Sequence, residues 1–402
     1  MFVELHILQN FAPSNLNRDD TGAPKDCEFG GYRRARISSQ CLKRAVRTAF
    51  RAEHLLPEEN LAARTKRVID ELAKRLGERG KSEEEAGPIL EALLKGVGLS
   101  VDNAGRTQYL LFLGEAEIAA VADLCLKNWD TLKPLAGEGA ASNDEQDSPR
   151  ARGSARSVKK AGKDAVPRDI AEALRKMLNG GKAADLALFG RMLADLPENN
   201  VDAASQVAHA LSTNKVSVEF DFYTAVDDLK PEDTAGADML GTVEFNSACF
   251  YRYANVDVSQ LERNLQGDKE LARDTLSAFL RASVAAVPTG KQNSMAAQNP
   301  PSLVFAVVRE AGLWSLANAF VKPVYPSQDA DLVQRSIKEL DACWGKLAMM
   351  YGEKGILGKW VASTEREGLL QLAGSRVGNI DQLVDSVLET AAAGATGAGV
   401  AR

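Results

Sequence analysis

The sequence predicts an α+β fold in which a frame of strands and helices is interrupted by a large helical insertion. Apolar residues mark strands in distant parts of the chain: they alternate over Phe2–Leu8 and are continuous over Leu303–Val308. Residues 56–180 are instead rich in Ala, Leu, Glu, Lys and Arg, a composition that favours helices. A chain of 402 residues, 45% hydrophobic and 26% charged, is typical of a globular protein with one large core and a second lobe.

The frame outside the insertion alternates strands with helices. Ser38 or Ser39 is a suitable N-cap, and Leu42, Val46 and Phe50 recur on one face of the helix that follows. In chain order the predicted elements are a strand over Phe2–Leu8, this helix, a half-buried strand over Val216–Phe222, an aromatic-rich strand over Val243–Val256, a helix from Val258 or Asp268 to Val287, a strand over Leu303–Val308 and a later helix with Leu332 and Trp344. This order is the ferredoxin-like pattern of RNA-recognition domains.

The insertion is predicted to be helical except for one polar stretch. Its helices are expected over Leu61–Leu76, Ile89–Leu94, Glu115–Trp129 and Asp169–Leu178. Between the last two, Gly137–Lys163 has low complexity, with acidic residues first and basic residues after them. This stretch predicts a mobile loop that is basic on one side.

A basic block is the strongest functional signal. Residues 29–47 hold six basic residues and no acidic one, although the formal net charge of the chain is -6. A glycine pair, arginines and a serine-capped helix start together favour binding of phosphate groups. The alternative is a solvated helix face whose arginines pair with distant acids. The candidate RNA contacts in this block are Arg34, Arg36, Ser38, Ser39, Gln40, Lys43, Arg44 and Arg47.

Three weaker signals each leave two interpretations open. Lys291, Gln292 and Asn293 follow Gly290 in a polar turn that suits contacts with ribose or backbone, or is an ordinary turn. The aromatic residues of Val243–Val256 suit base stacking, although core packing is favoured. Asp19, Asp20 and Asp26 are either ligands of a magnesium ion for phosphoryl chemistry or caps of turns that orient neighbouring basic residues.

Several function classes are disfavoured by composition. The five cysteines have no CxxC spacing, so free thiols in a reducing cytoplasm are expected and a zinc site is not. No apolar run is long enough to span a membrane, and the N-terminus is expected to carry no signal peptide. The three scattered histidines offer no acid–base pair, which weakens a ribonuclease interpretation.

The chain closely resembles the CasC family, the backbone subunit of the type I-E CRISPR RNA-guided surveillance complex Cascade. The resemblance covers about residues 2–325 and keeps the order of its motifs. The motifs are Asn17-Arg18-Asp19-Asp20, Lys25-Asp26, Phe29-Gly30-Gly31, Arg36 through Ala45, Leu188-Phe189-Gly190-Arg191-Met192, Thr224-Ala225-Val226-Asp227-Asp228, Gly241-Thr242, Glu244-Phe245, Phe250 through Asn255, Gly290-Lys291-Gln292 and Ala317-Asn318-Ala319-Phe320.

The resemblance implies a hand-shaped subunit that stacks with copies of itself along one guide RNA. It implies a modified RNA-recognition palm in two parts (1–55 and 223–390, the second with the C-terminal helices), helical fingers (56–180) and a thumb region (181–222). The Ala/Gly-rich composition after Thr390 predicts a disordered tail (391–402). Carried over by position, guide contacts fall on Arg18, Lys25, Ser38, Gln40, Lys43 and Arg47, with Met192, Tyr223 and Thr224 near a base that the thumb displaces.

The expected function is therefore a non-catalytic scaffold without a cofactor or metal, whose partners are guide RNA, target DNA and other Cascade subunits. The rival hypothesis is a metal-dependent ribonuclease on the same fold that uses Asp19, Asp20 or Asp26. Loose contacts with duplex target DNA are expected from six basic residues of the polar stretch, unless it is a solvated linker. These residues are Arg150, Arg152, Arg156, Lys159, Lys160 and Lys163.

Overall fold

A computed structural model describes residues 1–102, 104–134, 166–225 and 239–397, which divide into two compact units. We call Met1–Leu55, Ser205–Ser259 and Arg273–Arg402 the sheet unit. Leu56–Ala204 and Gln260–Ala272 form the helical unit. The insertion predicted over 56–180 thus continues to Ala204. The region predicted as one thumb over 181–222 is divided between the two units.

The described residues form a mixed structure of helices and antiparallel sheets. The strands are β1 Phe2–Ser14, β2 Asp26–Phe29, β3 Tyr32–Ile37, β4 Ala62–Thr65, β5 Leu111–Gly114, β6 Ser205–Val207, β7 Ala210–Ser212, β8 Glu219–Ala225, β9 Met239–Asp257, β10 Leu303–Arg309 and β11 Ile356–Ser363. The helices are α1 Ser39–Ala52, α2 Val68–Gly77, α3 Glu83–Val97, α4 Glu115–Lys127, α5 Trp129–Leu132, α6 Arg168–Met177, α7 Ala184–Phe189, α8 Val258–Asn264, α9 Lys269–Ala285, α10 Gln292–Met295, α11 Leu332–Tyr351 and α12 Ile380–Gly397. None of these helices is long and apolar enough to cross a membrane. The disordered tail predicted from residue 391 is wrong as far as Gly397, because α12 continues through these alanine-rich residues.

The main sheet has the order β11-β10-β1-β9-β7-β3-β2, and β6 and β8 also pair with β9. The central strand β1 is buried along most of its length, because each of its faces packs against a different apolar cluster. Leu8 lies in one cluster with Phe305 and Trp344. Phe11 lies in the other with Ile37 and Phe250. The buried aromatic residues of β9 belong to these clusters, which agrees with the favoured core-packing interpretation.

The basic block forms a hairpin before it forms a helix, which the sequence did not predict. Strands β2 and β3 pair antiparallel, and Gly30 and Gly31 make the turn with φ of +64° and +79°. A Cβ on Gly30 would collide with the carbonyl of Val321. The two glycines therefore allow the tight turn, and Gly30 allows the turn to pack closely against Val321.

The strand predicted over Val216–Phe222 is also corrected. β8 begins only at Glu219 and pairs with β9 as a long hairpin. Phe220 and Phe222 are 63% and 69% exposed, rather than half-buried. Among the described strands β8 pairs with β9 alone.

The helical unit has its own apolar core, which includes Leu72, Leu93, Trp129 and Leu174. The predicted helix over Leu61–Leu76 is shorter than expected, because its first residues form β4 and pair with β5. The other three predicted helices correspond to α3, α4 and α6, with shifted ends.

A buried ion pair joins distant parts of the helical unit. The side chains of Arg191 and Glu117 are each 1% exposed and lie 3.0 Å apart. The Glu117 carboxylate also accepts from the backbone N–H groups of Gly114 and Gly180, both at 2.7 Å. Because every partner of this carboxylate is a donor, the pair is well matched. Arg191 directly precedes Met192, so the pair also fixes the backbone beside that residue.

Candidate nucleic-acid interface

The start of α1 is built to attract negative charge. Ser38 is the N-cap in extended conformation, and its hydroxyl accepts from the N–H of Cys41 at 3.3 Å. The first turn contains no acidic residue. Ser39 is half-buried and Gln40 is exposed. The positive end of the helix is therefore available to an anion from outside the helix.

The loop before β2 places two predicted cations beside this helix start. Asn17 Oδ1 accepts from the Ser38 N–H at 2.8 Å, and the Lys25 N–H donates to the Asn17 carbonyl at 2.8 Å. Arg18 is exposed and forms an isolated bridge with Pro24. Asn17, a side chain that sequence reasoning passed over, thus joins the loop to the helix.

Two acidic side chains of this region, Asp19 and Asp26, contact residues close to them in the sequence. Asp19 Oδ1 accepts from the N–H and hydroxyl of Thr21, at 2.9 and 2.7 Å, and from the N–H of Ala23 at 3.0 Å. The Thr21 hydroxyl is the main cause of a lowered pKa of Asp19. Asp26 pairs with Arg33. Of the two interpretations left open above, turn capping describes Asp19. Among the described residues, no group of three His, Cys, Asp or Glu side chains is arranged to hold a metal ion.

A second loop, Pro288–Ser294, faces the first across a cleft of about 540 Å³ lined by Asn17, Arg18 and Cys41 among others. A Cβ on Gly290 would lie 2.7 Å from the Asn15 carbonyl oxygen, so only glycine allows the two loops to approach this closely. The cleft thus requires the glycine of the predicted motif.

The three polar residues after Gly290 have two different roles. Gln292 donates to the carbonyls of Pro288 and Ala297, at 3.0 and 3.2 Å, so its amide group holds the loop together. Lys291 adopts a left-handed backbone with φ of +52° and is half-buried, while Asn293 is exposed. Lys291 and Asn293 therefore remain candidates for ligand contact, and Gln292 supports them.

The prediction for Arg34 is wrong. Its side chain is 0% exposed, and its guanidinium donates to four backbone carbonyls at 2.6–3.2 Å. These carbonyls belong to Ser212, Thr213, Phe320 and Val321. Arg34 therefore ties the β2–β3 hairpin to the rest of the sheet unit, and because its side chain is buried it does not face a nucleic acid.

Arg36 lies at the surface beside a histidine that sequence reasoning missed. Arg36 Nη1 donates to His209 Nδ1 at 3.0 Å. His209 is exposed and directly precedes β7, whose Leu211 pairs with Arg36. Partial burial lowers the pKa of His209, and the charges of Arg36 and Lys25 lower it further. A sequence separation of 173 residues hides this neighbourhood from any local pattern.

The basic residues along α1 lie outside its buried face. That face is formed by Leu42, Val46, Ala49 and Phe50. Lys43 and Arg47 are half-buried and Arg44 is exposed. The predicted helix and its apolar face are therefore confirmed, and these cations extend the positive surface that begins at Ser38.

The residues predicted near a displaced base lie in different units. Tyr223 and Thr224 belong to the β8–β9 hairpin of the sheet unit, where the ring of Tyr223 lies over Gly241. Met192 belongs to the helical unit and is 82% exposed. The six basic residues from Arg150 to Lys163 lie outside the described residues.

Comparisons with known proteins point in one direction. A family model described as CT1975-like protein matches residues 3–386. A solved chain described as "CRISPR RNA-guided surveillance complex, pre-nicking" is 34% identical with a TM-score of 0.79, over 96% of this chain and 100% of that chain. A second, described as "CRISPR RNA-guided surveillance complex", is 28% identical with a TM-score of 0.70, over 97% of this chain and 99% of that one. No curated protein matches the sequence.

Proposed function

The chain belongs to the family of CT1975-like proteins, and we propose that it is the guide-RNA-binding backbone subunit of a CRISPR RNA-guided surveillance complex. The observation that carries this proposal is the acid-free start of α1 with the cations around it. Ser38 and Gln40 lie at that start, and Lys25 and Arg36 lie beside it. A chain of phosphates is the ligand that such a surface fits best.

Binding of this kind is indifferent to base sequence. Ammonium, guanidinium and backbone N–H groups recognise phosphate and ribose, and these are the same at every position of an RNA. The guide can therefore vary while base pairing identifies the target. The proposed partners are guide RNA, target DNA, copies of the same chain and the other subunits of a type I-E Cascade.

The β8–β9 hairpin supports the proposed arrangement along the RNA. Exposed Phe220, Phe222 and Tyr223 are uncommon on a monomeric surface and suit contact with a neighbouring copy or an unstacked base. Exposed Met192 suits insertion beside a displaced base, since its side chain is apolar and flexible.

The strand order supports a palm of the RNA-recognition type. In the centre of the sheet the order is β10-β1-β9-β7. Counted as the four strands of a strand–helix–strand–strand–helix–strand chain, this is 4-1-3-2, with every neighbouring pair antiparallel. The remaining strands extend this four-stranded centre at its edges.

The test uses the full chain with RNAs of equal length and unrelated sequence. We expect similar affinities for all of them, strong weakening by salt, and ordered filaments on long RNA in electron micrographs. Affinities that differ by more than about tenfold between sequences would contradict backbone recognition, because a phosphate contact carries no base information.

The same preparation tests whether the subunit is non-catalytic. Intact RNA is expected after incubation with magnesium, for the parent and for the Asp19→Ala, Asp20→Ala and Asp26→Ala variants. Regularly spaced cuts by the parent that one of these substitutions abolishes would replace the scaffold with the ribonuclease hypothesis. Cuts that survive all three substitutions would point to a contaminating nuclease.

A further inference from the structure

A small group at the start of α1 combines two cations with a neutral histidine. Its members are Arg36, Lys25 and His209. Arg36 Nη1 donates to His209 Nδ1 at 3.0 Å. Arginine has only donors, so this imidazole nitrogen is the acceptor and the ring is neutral with its proton on Nε2. The neutral His209 ring thus occupies an N–H donor of Arg36 that could otherwise donate to a backbone phosphate.

The surroundings explain why His209 is neutral and what would change this. Burial, then Arg36 of β3, then Lys25 of the loop before β2 lower the pKa of His209. In β2, the Asp26 carboxylate pairs with Arg33, while its backbone carbonyl accepts from Arg36 Nε at 3.2 Å. Within the described ranges, neither Lys25 nor Arg36 has an acidic partner. A phosphate bound there would give Lys25 and Arg36 a direct counter-charge.

We propose that His209 is part of the RNA-binding surface and takes up one proton from solvent when a backbone phosphate binds beside Arg36 and Lys25. This inference rests on the proposed function and adds to it a coupling between guide loading and pH. The phosphate offsets the two neighbouring positive charges, so the imidazolium becomes stable. Protonation of Nδ1 ends its role as acceptor and releases Arg36 Nη1, which then donates to the phosphate.

Other titratable side chains would not produce the same pH dependence. Burial lowers the pKa of His6 to about 3, so His6 stays neutral between pH 8 and pH 6. Burial raises the pKa of the nearby thiols Cys27 and Cys41, so they stay protonated in that interval. His54 is the remaining histidine and lies just beyond the far end of α1, about 20 Å from the N-cap for a helix of this length.

The experiment compares the parent with His209→Asn and His54→Asn. Asparagine can accept from Arg36 but cannot take up a proton, and it tolerates the left-handed φ of +50° at His54. RNA dissociation constants are measured from pH 8 to pH 6 at constant ionic strength. We expect the parent and His54→Asn to tighten on acidification, by at most about tenfold per pH unit since one proton is coupled. We expect no pH dependence in His209→Asn.

Two further measurements sharpen the test. Calorimetry in two buffers with different ionisation enthalpies should show proton uptake on RNA binding by the parent at pH 6.5 and none by His209→Asn. His209→Lys should bind RNA at pH 8 as tightly as the parent does at pH 6, because its charge is permanent. Unchanged pH dependence in His209→Asn would overturn the inference alone. No RNA binding by the parent at either pH would overturn the proposed function and this inference with it.

Discussion

Helices α1 and α3 both begin after a serine, but they differ in the acidic residues of the first turn, at the positive end of the helix dipole. α3 fills its first turn with Glu83, Glu84 and Glu85, which offset the helix dipole from within. α1 has no acid there, and Lys25 and Arg36 add positive charge nearby. The first arrangement stabilises the helix, and the second leaves its charge for a partner. The residues of the first turn therefore separate a structural helix start from a candidate binding site.

The same contrast appears between individual cations of the molecule. In the helical unit Arg191 is matched by Glu117, and Arg75 pairs with both Glu71 and Glu115. In the sheet unit, within the described ranges, Lys25 and Arg36 have no such partners. Charges that pair internally contribute to the stability of the unit, whereas charges without acids contribute to the affinity for an anion.

The largest effect is expected from breaking the buried pair of the helical unit. Glu117→Gln leaves the Arg191 guanidinium buried without a counter-charge, which should cost about 3–5 kcal/mol of unfolding free energy. Glu71→Gln is the control, because its pair with Arg75 lies nearer the surface and is worth less than about 1 kcal/mol. Urea denaturation measures both. A loss below about 1 kcal/mol for Glu117→Gln would show that this charge is not structural.

The next effect concerns the cations of α1. Lys43→Glu with Arg47→Glu should abolish RNA binding while the fold survives, since both side chains lie outside the buried face. Lys74→Glu with Lys127→Glu changes the net charge equally in the helical unit and should bind more nearly like the parent. In the milder Lys43→Ala with Arg47→Ala variant, the log–log salt slope should flatten by about 0.7 per lost phosphate contact. Undiminished RNA binding with the parent's slope would rule out this face of α1.

The smallest effect is expected from exchanging the charges in the first turns of α1 and α3. Ser39→Glu with Gln40→Glu gives α1 the acidic first turn of α3. RNA affinity should fall by about tenfold, while the unfolding free energy rises by about 0.3–1 kcal/mol per acid. The mirror change, Glu84→Gln with Glu85→Gln, should lower stability by a similar amount and leave RNA affinity unchanged. A rise in RNA affinity in the mirror variant as large as the fall in Ser39→Glu with Gln40→Glu would mean that net charge, rather than the helix start, controls binding.

Local patterns in the sequence predicted the elements that depend on near neighbours. The alternation of Phe2–Leu8 predicted β1, the apolar run of Leu303–Val308 predicted β10, and Ser38 before a periodic apolar face predicted α1. The hairpin β2–β3 was missed because its charged residues mask the alternation. The strand predicted from Val216 was misplaced because alternating apolar residues also occur on an exposed hairpin.

The α+β class, the helical insertion, the N-cap of α1 and the absence of acids after it could be predicted from the sequence, because each depends on residues a few positions apart. The exposure of each cation could not, because it depends on contacts between segments far apart in the chain. Arg34 is buried because carbonyls at 212–213 and 320–321 converge on its guanidinium. Arg36, two positions along the same strand, lies at the surface beside His209. Alternation along a strand sends successive side chains to opposite faces, and positions i and i+2 to the same face. The different fates of Arg34 and Arg36 therefore follow from what the folded chain places over each of them.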